Sequence, residues 1–265
     1  MAGDKNSSGL GMFKPFFWIK PERVELRALT AVPRLAEFLP VTKLSRSLPD
    51  WWRDLPSTFE PPPPPPPPPN SKAPPPMPRP QTQLSSKHCY AMQETFKTGL
   101  GIPLWADHTI SLTPDGRANA QAPGKGKPGT QHPPLQFTGM LAPSALHFKF
   151  HSPWWLVSKK SVHFWMCHPF YHQRDPFRYH AMSGSVEYRN QHSTNVNVVF
   201  RKPTAPTDIE FSAGEMICYL IPMTDLRVDL VVEEVSDAEI ERINFTRNIT
   251  TRPLLFNRKW NKGGD

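Results

Sequence analysis

Cysteine is scarce in this sequence. Its three cysteines, Cys89, Cys167 and Cys218, are odd in number and lie far apart, and no Cys-x-x-Cys pair occurs. Disulfide-stapled domains and the common zinc modules need paired or closely spaced cysteines, so the pattern argues against both. A protein of a reducing compartment fits this cysteine usage.

Long apolar runs and targeting signals are also missing. No apolar stretch approaches the ~18 residues that a membrane-spanning helix needs. The first nine residues are mostly polar and do not have the apolar centre of a secretory signal peptide. We therefore expect a protein that is neither secreted nor membrane-spanning.

The familiar catalytic motifs are absent as well. The sequence contains no Gly-x-Ser-x-Gly elbow, no phosphate-binding G-x-x-x-x-G-K-[ST] loop and no His-Glu-x-x-His pair. Asp107 and His108 are neighbours, but a catalytic triad is assembled in space and adjacency does not create one. No cofactor is predicted, and the pattern favours a protein that is not an enzyme.

Positive charge exceeds negative charge. Lysine and arginine number 31 against 23 aspartates and glutamates, for a net charge of +8. A basic balance favours anionic partners such as nucleic acid or acidic protein surfaces. The basic residues are scattered and form no stripe, so solubility alone also explains them. Nucleic acid stays open as an alternative partner.

Proline is the most unusual component, with 34 residues and an unbroken run from Pro61 to Pro69. Such a run favours the polyproline II conformation, which rises ~3.1 Å per residue and forms a semi-rigid spacer. It also resembles ligands of aromatic grooves. We predict a proline-rich linker over residues 57–83, with Pro61 and Pro69 bounding a candidate interaction segment.

Aromatic residues are dense before this linker. Residues 1–12 are predicted to be a disordered leader, and residues 13–56 an aromatic segment that packs on the main domain. Within it, Pro49 is placed to begin a short helix carrying Trp51 and Trp52. Adjacent tryptophans bury much apolar area, so this pair is predicted to be an anchor or an interaction site.

The rest of the chain alternates between apolar and polar residues like β-strands. Residues 84–250 are predicted to form a β-rich domain, with a long loop over 113–143 and a basic tail over 251–265. A capping box at Ser236–Glu239 predicts a C-terminal helix. The predicted fold is mainly β: an antiparallel sandwich, a jelly roll or a β-clip-like domain with a proline-rich N-terminal arm and a short C-terminal helix.

Histidine is dense in one stretch. His163, His168, His172 and His180 lie within 18 positions of one another. Imidazole binds zinc and iron well, which makes these four candidate metal ligands. Pro169 opposes a helix that would place His168 and His172 on one face. Histidines with ordinary hydrogen-bond partners are therefore the favoured interpretation.

Six short segments together resemble a family of uncharacterised proteins carried by tailed bacteriophages, especially T4-like marine phages. They occur in the same order and span most of residues 30–225: Leu48–Pro56, Gly101–Asp107, Ser152–Trp155, His168–Phe170, Thr194–Asn197 and Gly214–Pro222. The resemblance implies a viral origin and a location in the virion or the host cytoplasm. It implies no assigned activity and no catalytic residues.

Other segments are similar to the β-clip of trimeric dUTPase and dCTP deaminase. Gly99–Leu104, Gly184–Arg189 and Phe211–Cys218 resemble that family's first turn, its tyrosine-arginine motif and its closing strand. The resemblance implies a β topology and nucleotide chemistry. The water-activating aspartate and the phosphate-binding Ala-Arg-Ser-Ser segment have no counterpart in this sequence.

Three hypotheses follow. In the first, the chain is a non-enzymatic phage protein, a structural or assembly component that binds other virion subunits or further copies of itself. In the second, it is a small-molecule or nucleotide enzyme, or a metal-binding protein, on a β-clip or jelly-roll scaffold. In the third, it is a host-interaction factor that captures a protein or a nucleic acid through its basic surface.

Overall fold

A computed structural model describes residues 22–62, 82–124, 127–140, 142–173, 175, 177–189 and 191–244. The predicted leader over residues 1–12 and the basic tail over 251–265 lie outside these ranges. Pro69 and most of the proline-rich linker also lie outside them. Within the described ranges the fold is mainly β, which confirms the predicted fold class.

Seventeen strands occur in the described part of the chain. They are β1 Arg23–Thr30, β2 Thr42–Lys43, β3 Thr58–Phe59, β4 Gln83–Leu84, β5 Leu100–Pro103, β6 His108–Leu112, β7 Ala118–Gln121, β8 Gly129–Gln131, β9 Ala145–Phe150, β10 Trp155–Ser158, β11 His163–Cys167, β12 His180–Ala181, β13 Gly184–Glu187, β14 Val196–Arg201, β15 Thr207–Phe211, β16 Met216–Pro222 and β17 Arg227–Glu234. The helices are α1 Leu35–Phe38, α2 Asp50–Asp54, α3 Tyr90–Thr98 and α4, over residues 237–244. Short 3₁₀ turns occupy Leu44–Arg46, Ser86–His88 and Pro134–Phe137.

These strands form several small sheets. The largest has five strands in the order β13-β11-β16-β5-β2, and a four-stranded sheet has the order β12-β14-β9-β8. Two three-stranded sheets, β10-β1-β17 and β15-β6-β7, and the pair β3-β4 complete the set. Pairing is antiparallel except between β1 and β17, which run parallel over eight residue pairs.

The four larger sheets share one hydrophobic core, because the apolar side chains that alternate with other residues along their strands point into the same interior. On β14 the buried residues are Val196, Val198 and Phe200, with polar or half-exposed residues between them. Phe211 contacts the ring of Phe150 edge-on, with their centroids 5.3 Å apart. Aromatic edge-to-face contacts of this kind add to the stabilisation that burial supplies.

Gly129 on β8 shows how tightly this core is packed. A β-carbon at that position would lie 2.4 Å from the ring of Phe148 and 2.5 Å from the carbonyl oxygen of Lys149. Only a residue without a side chain allows β8 to approach β9 so closely.

The prediction of a long loop over residues 113–143 is wrong. The chain turns at Gly116, which has a φ of 90°, and returns as β7 along β6. It then forms β8 along β9 and a 3₁₀ turn at Pro134–Phe137. Glycine and proline here mark tight turns between short strands, and the composition alone does not distinguish these from an irregular loop.

The described part of the aromatic segment, residues 22–56, is integral to the β domain. β1 lies between β10 and β17 at the centre of its sheet, and Val24, Leu26 and Ala28 are fully buried in the core. β2 adds to the edge of the five-stranded sheet. The domain therefore begins well before residue 84.

The predicted C-terminal helix is present as α4. Ser236 caps it, because its hydroxyl accepts a hydrogen bond from the backbone N–H of Glu239 at 3.3 Å. The Glu239 carboxylate pairs with Arg242 one turn later. None of the helices in the described ranges has the length and apolar character required to cross a bilayer.

Candidate interaction site

The two adjacent tryptophans lie on α2, as the sequence predicts. Pro49 caps this helix, which begins at Asp50. Successive residues of a helix point in different directions, and the two rings accordingly differ: Trp52 is buried, whereas Trp51 is 42% exposed. The ring N–H of Trp51 donates a hydrogen bond to the carbonyl oxygen of Tyr171 at 2.7 Å. This bond ties α2 to the loop that follows β11.

Trp52 belongs to a second, smaller core that packs α2 against α3 and β16. Its ring lies 4.8 Å from that of Phe96 on α3, measured between centroids. Phe96 in turn lies 5.3 Å from Tyr171. Leu44 and Tyr219 complete the buried set. Of the two predicted interaction residues on α2, Trp51 is thus partly exposed, and Trp52 is buried in this smaller core.

His172 holds this cluster together through both of its ring nitrogens. Nε2 donates to the backbone carbonyl of Ser47, because a carbonyl can only accept. Nδ1 is then the acceptor for the hydroxyl of Tyr219. Burial lowers the pKa of His172, which keeps the ring neutral in this bridging tautomer. The histidine therefore acts as a fixed strut between the segment before α2 and β16.

Both ends of the proline-rich segment meet beside this cluster. β3 pairs with β4, joining Thr58 to Leu84 and Phe59 to Gln83. The backbone N–H of Ser85 also donates to the carbonyl of Ser57 at 2.9 Å. The described residues on either side of the proline run therefore lie together, next to α2 and α3. Pro61, at the start of the proline run, is half-buried there.

A cavity of about 600 Å³ opens between α2 and α3 at this place. Leu48, Trp52 and Phe96 supply its apolar surface, Lys87 and Lys97 supply its positive charge, and His88 also lines it. Its volume is within the range of about 300–1,000 Å³ typical of ligand sites. No acidic residue is found among the described residues that line it.

Large apolar side chains are exposed on the elements around the cavity. Leu84 is 65% exposed and Tyr90 is 74% exposed, and they join the partly exposed Trp51 and Phe59. These four residues lie on β4, α3, α2 and β3 respectively. Phe59 pairs with Gln83 and Leu84 pairs with Thr58, so Phe59 and Leu84 project from opposite sides of the β3–β4 pair. Exposed apolar side chains around a cavity often mark protein interaction surfaces. We call these four residues and the cavity the aromatic face.

The four candidate metal ligands do not come together as one group. His168 and His180 stack with ring centroids 4.9 Å apart. His163 lies on the exposed side of β11, where its Nδ1 is 3.2 Å from the hydroxyl of Ser185. His172 is the strut described above. No group of three or more potential metal ligands occurs in the described ranges.

His168 is the most strongly perturbed of these histidines. It is 1% exposed, and its Nδ1 accepts a hydrogen bond from the backbone N–H of Ala181 at 3.0 Å. Burial lowers the pKa of His168 to about 4, and the neighbouring His180 adds to the effect. The ring is therefore neutral at pH 7 and serves as a structural acceptor between β11 and β12.

Two other acidic residues, Asp107 and Glu187, each have a polar partner in the structure. Asp107 accepts a hydrogen bond from the backbone N–H of Ala213 at 2.8 Å, while the Nδ1 of the neighbouring His108 bonds to the carbonyl of Ala106. The two side chains are thus engaged with separate backbone groups. Glu187, on the edge strand β13, lies 3.4 Å from Arg189.

A histidine pair that the sequence did not reveal lies just after β8 and on β9. The rings of His132 and His147 stack at 4.4 Å with an interplanar angle of 13°. Nε2 of His147 bonds to the side-chain oxygen of Asn197 at 3.2 Å. Burial lowers the pKa of His147, and the neighbouring His132 lowers it further. Cross-strand pairing brings the two together, since the N–H of His132 bonds to the carbonyl of His147.

The sequence prediction of the aromatic face omitted the residues of α3 and the turn before it. Phe96, Lys87 and Lys97 come after the proline-rich segment, far from Trp52 along the chain. The sequence pattern that could have identified α3 is the i, i+4 spacing of Met92 and Phe96 between Cys89 and Gly99, which is typical of a short amphipathic helix.

No family model, curated protein or solved structure matches this chain. The phage-like and β-clip-like segments therefore stay predictions from the sequence.

Proposed function

We infer that this protein acts by binding other proteins, as a non-enzymatic structural or assembly component of a bacteriophage particle. The phage-like segments of the sequence motivate the viral assignment. The aromatic face carries the binding assignment, because it combines exposed apolar side chains with a cavity at a single place.

The construction of the face supports a binding role. Its exposed residues stand on a buried aromatic base, where Trp52 and Phe96 are nearly inaccessible. The His172 strut and the Trp51 hydrogen bond fix the orientation of the elements beneath it. A surface that is already rigid loses little conformational entropy when a partner binds, and such preorganisation raises affinity.

The described residues that flank the proline-rich segment border the same surface. The β3–β4 pair joins Thr58 and Phe59 to Leu84 and Gln83 beside the aromatic face. Proline-rich segments are common in protein recognition, because their restricted backbone has little entropy to lose.

The test is quantitative mass spectrometry of purified phage particles from the source of the sequence. We expect this protein at a fixed ratio to the major capsid protein. Particles from which it is absent would contradict the proposal, as would a copy number that varies between preparations.

A complementation experiment locates the binding surface. The double substitution L84S/Y90S removes two exposed apolar side chains from the aromatic face. The matched control, L135S, removes one that is 85% exposed on another part of the surface. We expect L84S/Y90S to reduce incorporation into particles and L135S to leave it unchanged; equal incorporation of the two would place the interface elsewhere.

A further inference from the structure

We propose that the cavity of the aromatic face binds an acidic peptide segment of the partner, with one apolar side chain inserted between α2 and α3 and carboxylates placed on the basic rim. The proposal rests on the proposed function and adds the chemistry of the ligand.

The apolar part of the cavity selects an inserted side chain. Leu48, Trp52 and Phe96 line it, and the last two are 8% and 3% exposed. A single aliphatic or aromatic side chain placed there would cover this apolar surface, as anchor residues do at protein interfaces.

The polar part of the cavity selects negative charge. Its lining contributes Lys87, His88 and Lys97 and, among the described residues, no carboxylate. Among the described residues, Lys87 Nζ donates to a neutral partner, the carbonyl of Arg53, at 3.1 Å. Its charge is therefore not balanced by that contact.

Lys97 is available despite its pairing with Glu94. The two lie 3.0 Å apart one helical turn from each other, and the lysine is 73% exposed. An exposed pair of this kind contributes little to stability. The ammonium group can therefore turn toward a carboxylate in the cavity at small cost.

The same geometry favours a peptide over single-stranded nucleic acid. Nucleic-acid surfaces of this type stack successive bases on exposed aromatic faces. Inside the cavity Trp52 and Phe96 are buried and present no such platform, so a base could stack only on the exposed rings of the face outside it, and the oligothymidylate probe below tests that alternative. The proline-rich segment of the chain itself is also a poor match for the rim, since its charged residues are Glu60, Lys72 and Arg79 and its net charge is positive.

The proposal can be tested by fluorescence anisotropy with the purified full-length chain. The probe is a short labelled peptide that has glutamates on both sides of a central leucine. The comparison probes have serine in place of the leucine, or lysines in place of the glutamates, and a short labelled oligothymidylate represents nucleic acid. We expect the first peptide to bind, and the other three probes to bind at least about tenfold more weakly.

Charge reversal gives the matched variants. K87E/K97E should weaken binding of the acidic peptide by about tenfold or more and strengthen binding of the lysine peptide. K159E/K160E makes the same charge change at two exposed lysines that do not line the cavity, and it should behave as the native chain does. If circular dichroism shows that K87E/K97E is misfolded, K87Q/K97Q replaces it with the same expected direction.

Equal binding of the acidic and lysine peptides would overturn the proposal. So would tighter binding of the oligothymidylate, or an equal effect of the two charge-reversed variants. These assays need no phage particles, so they separate the two conclusions. Particles that contain a protein without acidic-peptide preference would refute the ligand assignment alone. Acidic-peptide binding by a protein absent from particles would refute the virion role alone.

Discussion

Replacing His168 with asparagine should make the protein markedly less sensitive to acid. His168 is enclosed between β11 and β12, where its Nδ1 accepts the Ala181 N–H bond. The side-chain oxygen of asparagine can take the place of Nδ1 as an acceptor, but asparagine does not titrate. H168N therefore removes the buried ionisable group while keeping its hydrogen bond.

The magnitude follows from the shifted pKa of His168. Its ordinary value of 6.5 applies to the unfolded chain, and burial lowers it to about 4 in the fold. Between these two pH values the unfolded state binds a proton that the folded state does not, so stability falls as the pH falls. At about 1.4 kcal/mol per pKa unit, the loss reaches about 2 kcal/mol near pH 5 and about 3 kcal/mol near pH 4.

The assay is urea unfolding followed by tryptophan fluorescence, over a pH series from above 7 down to about 4. H168N is also expected to be less stable at neutral pH, because it loses the ring contacts with His180 and Phe170. The informative quantity is therefore the slope of unfolding free energy against pH. Other buried histidines, such as His147 and His172, leave a smaller acid dependence in the variant.

H163N is the matched control. It makes the same substitution on β11 at an exposed position. We expect it to keep the pH slope of the native chain. If H168N and the native chain lose the same stability between pH 7 and about 4, the inference that burial of His168 opposes its protonation is refuted.

Three substitutions probe the packing of the domain. G129A should lower the unfolding free energy by about 1–3 kcal/mol, because the added methyl group meets a phenylalanine ring and a backbone carbonyl of β9. G184A is its control in thermal melts, because a β-carbon added at Gly184 has no neighbour within 4 Å. Y219F should cost about 1–3 kcal/mol by leaving Nδ1 of His172 without a donor, and unchanged urea midpoints would contradict the strut. W52A should cost about 3–5 kcal/mol in the same urea assay, as expected for a large buried ring.

The sequence predicted those strands well whose apolar alternation continues for several residues. The alternation in Ala145–Phe150, with apolar Leu146, Phe148 and Phe150, predicts a strand with the bounds that β9 has in the structure. Alternation near β1 and β17 also indicated strands there, but no local pattern shows that these two pair with each other. Pairing between distant segments depends on the whole fold, and the residues of one strand do not specify it.

The aromatic face was predictable only in part, for the same reason. The adjacent tryptophans at positions 51 and 52 could be predicted from the sequence to be an anchor or an interaction site, since two large rings need burial or a partner. The basic rim comes from Lys87 and Lys97, which are unremarkable among 31 lysines and arginines. They become part of a site because the β3–β4 pair brings α3 next to α2. Likewise, the sequence offered four dense histidines as candidate metal ligands but favoured ordinary hydrogen-bond partners for them, and only the fold shows that they form a stacked pair and two separate rings.

The parallel pairing of β1 with β17 has a consequence for how the chain folds. Arg23 lies opposite Arg227, so the first described strand and the last are about 200 residues apart in sequence. Contacts of such long range slow folding, because a large loop must close before they form. During synthesis, β1 leaves the ribosome long before β17 exists and has one edge without its native partner. We therefore expect nascent chains that end before residue 227 to aggregate or to engage chaperones.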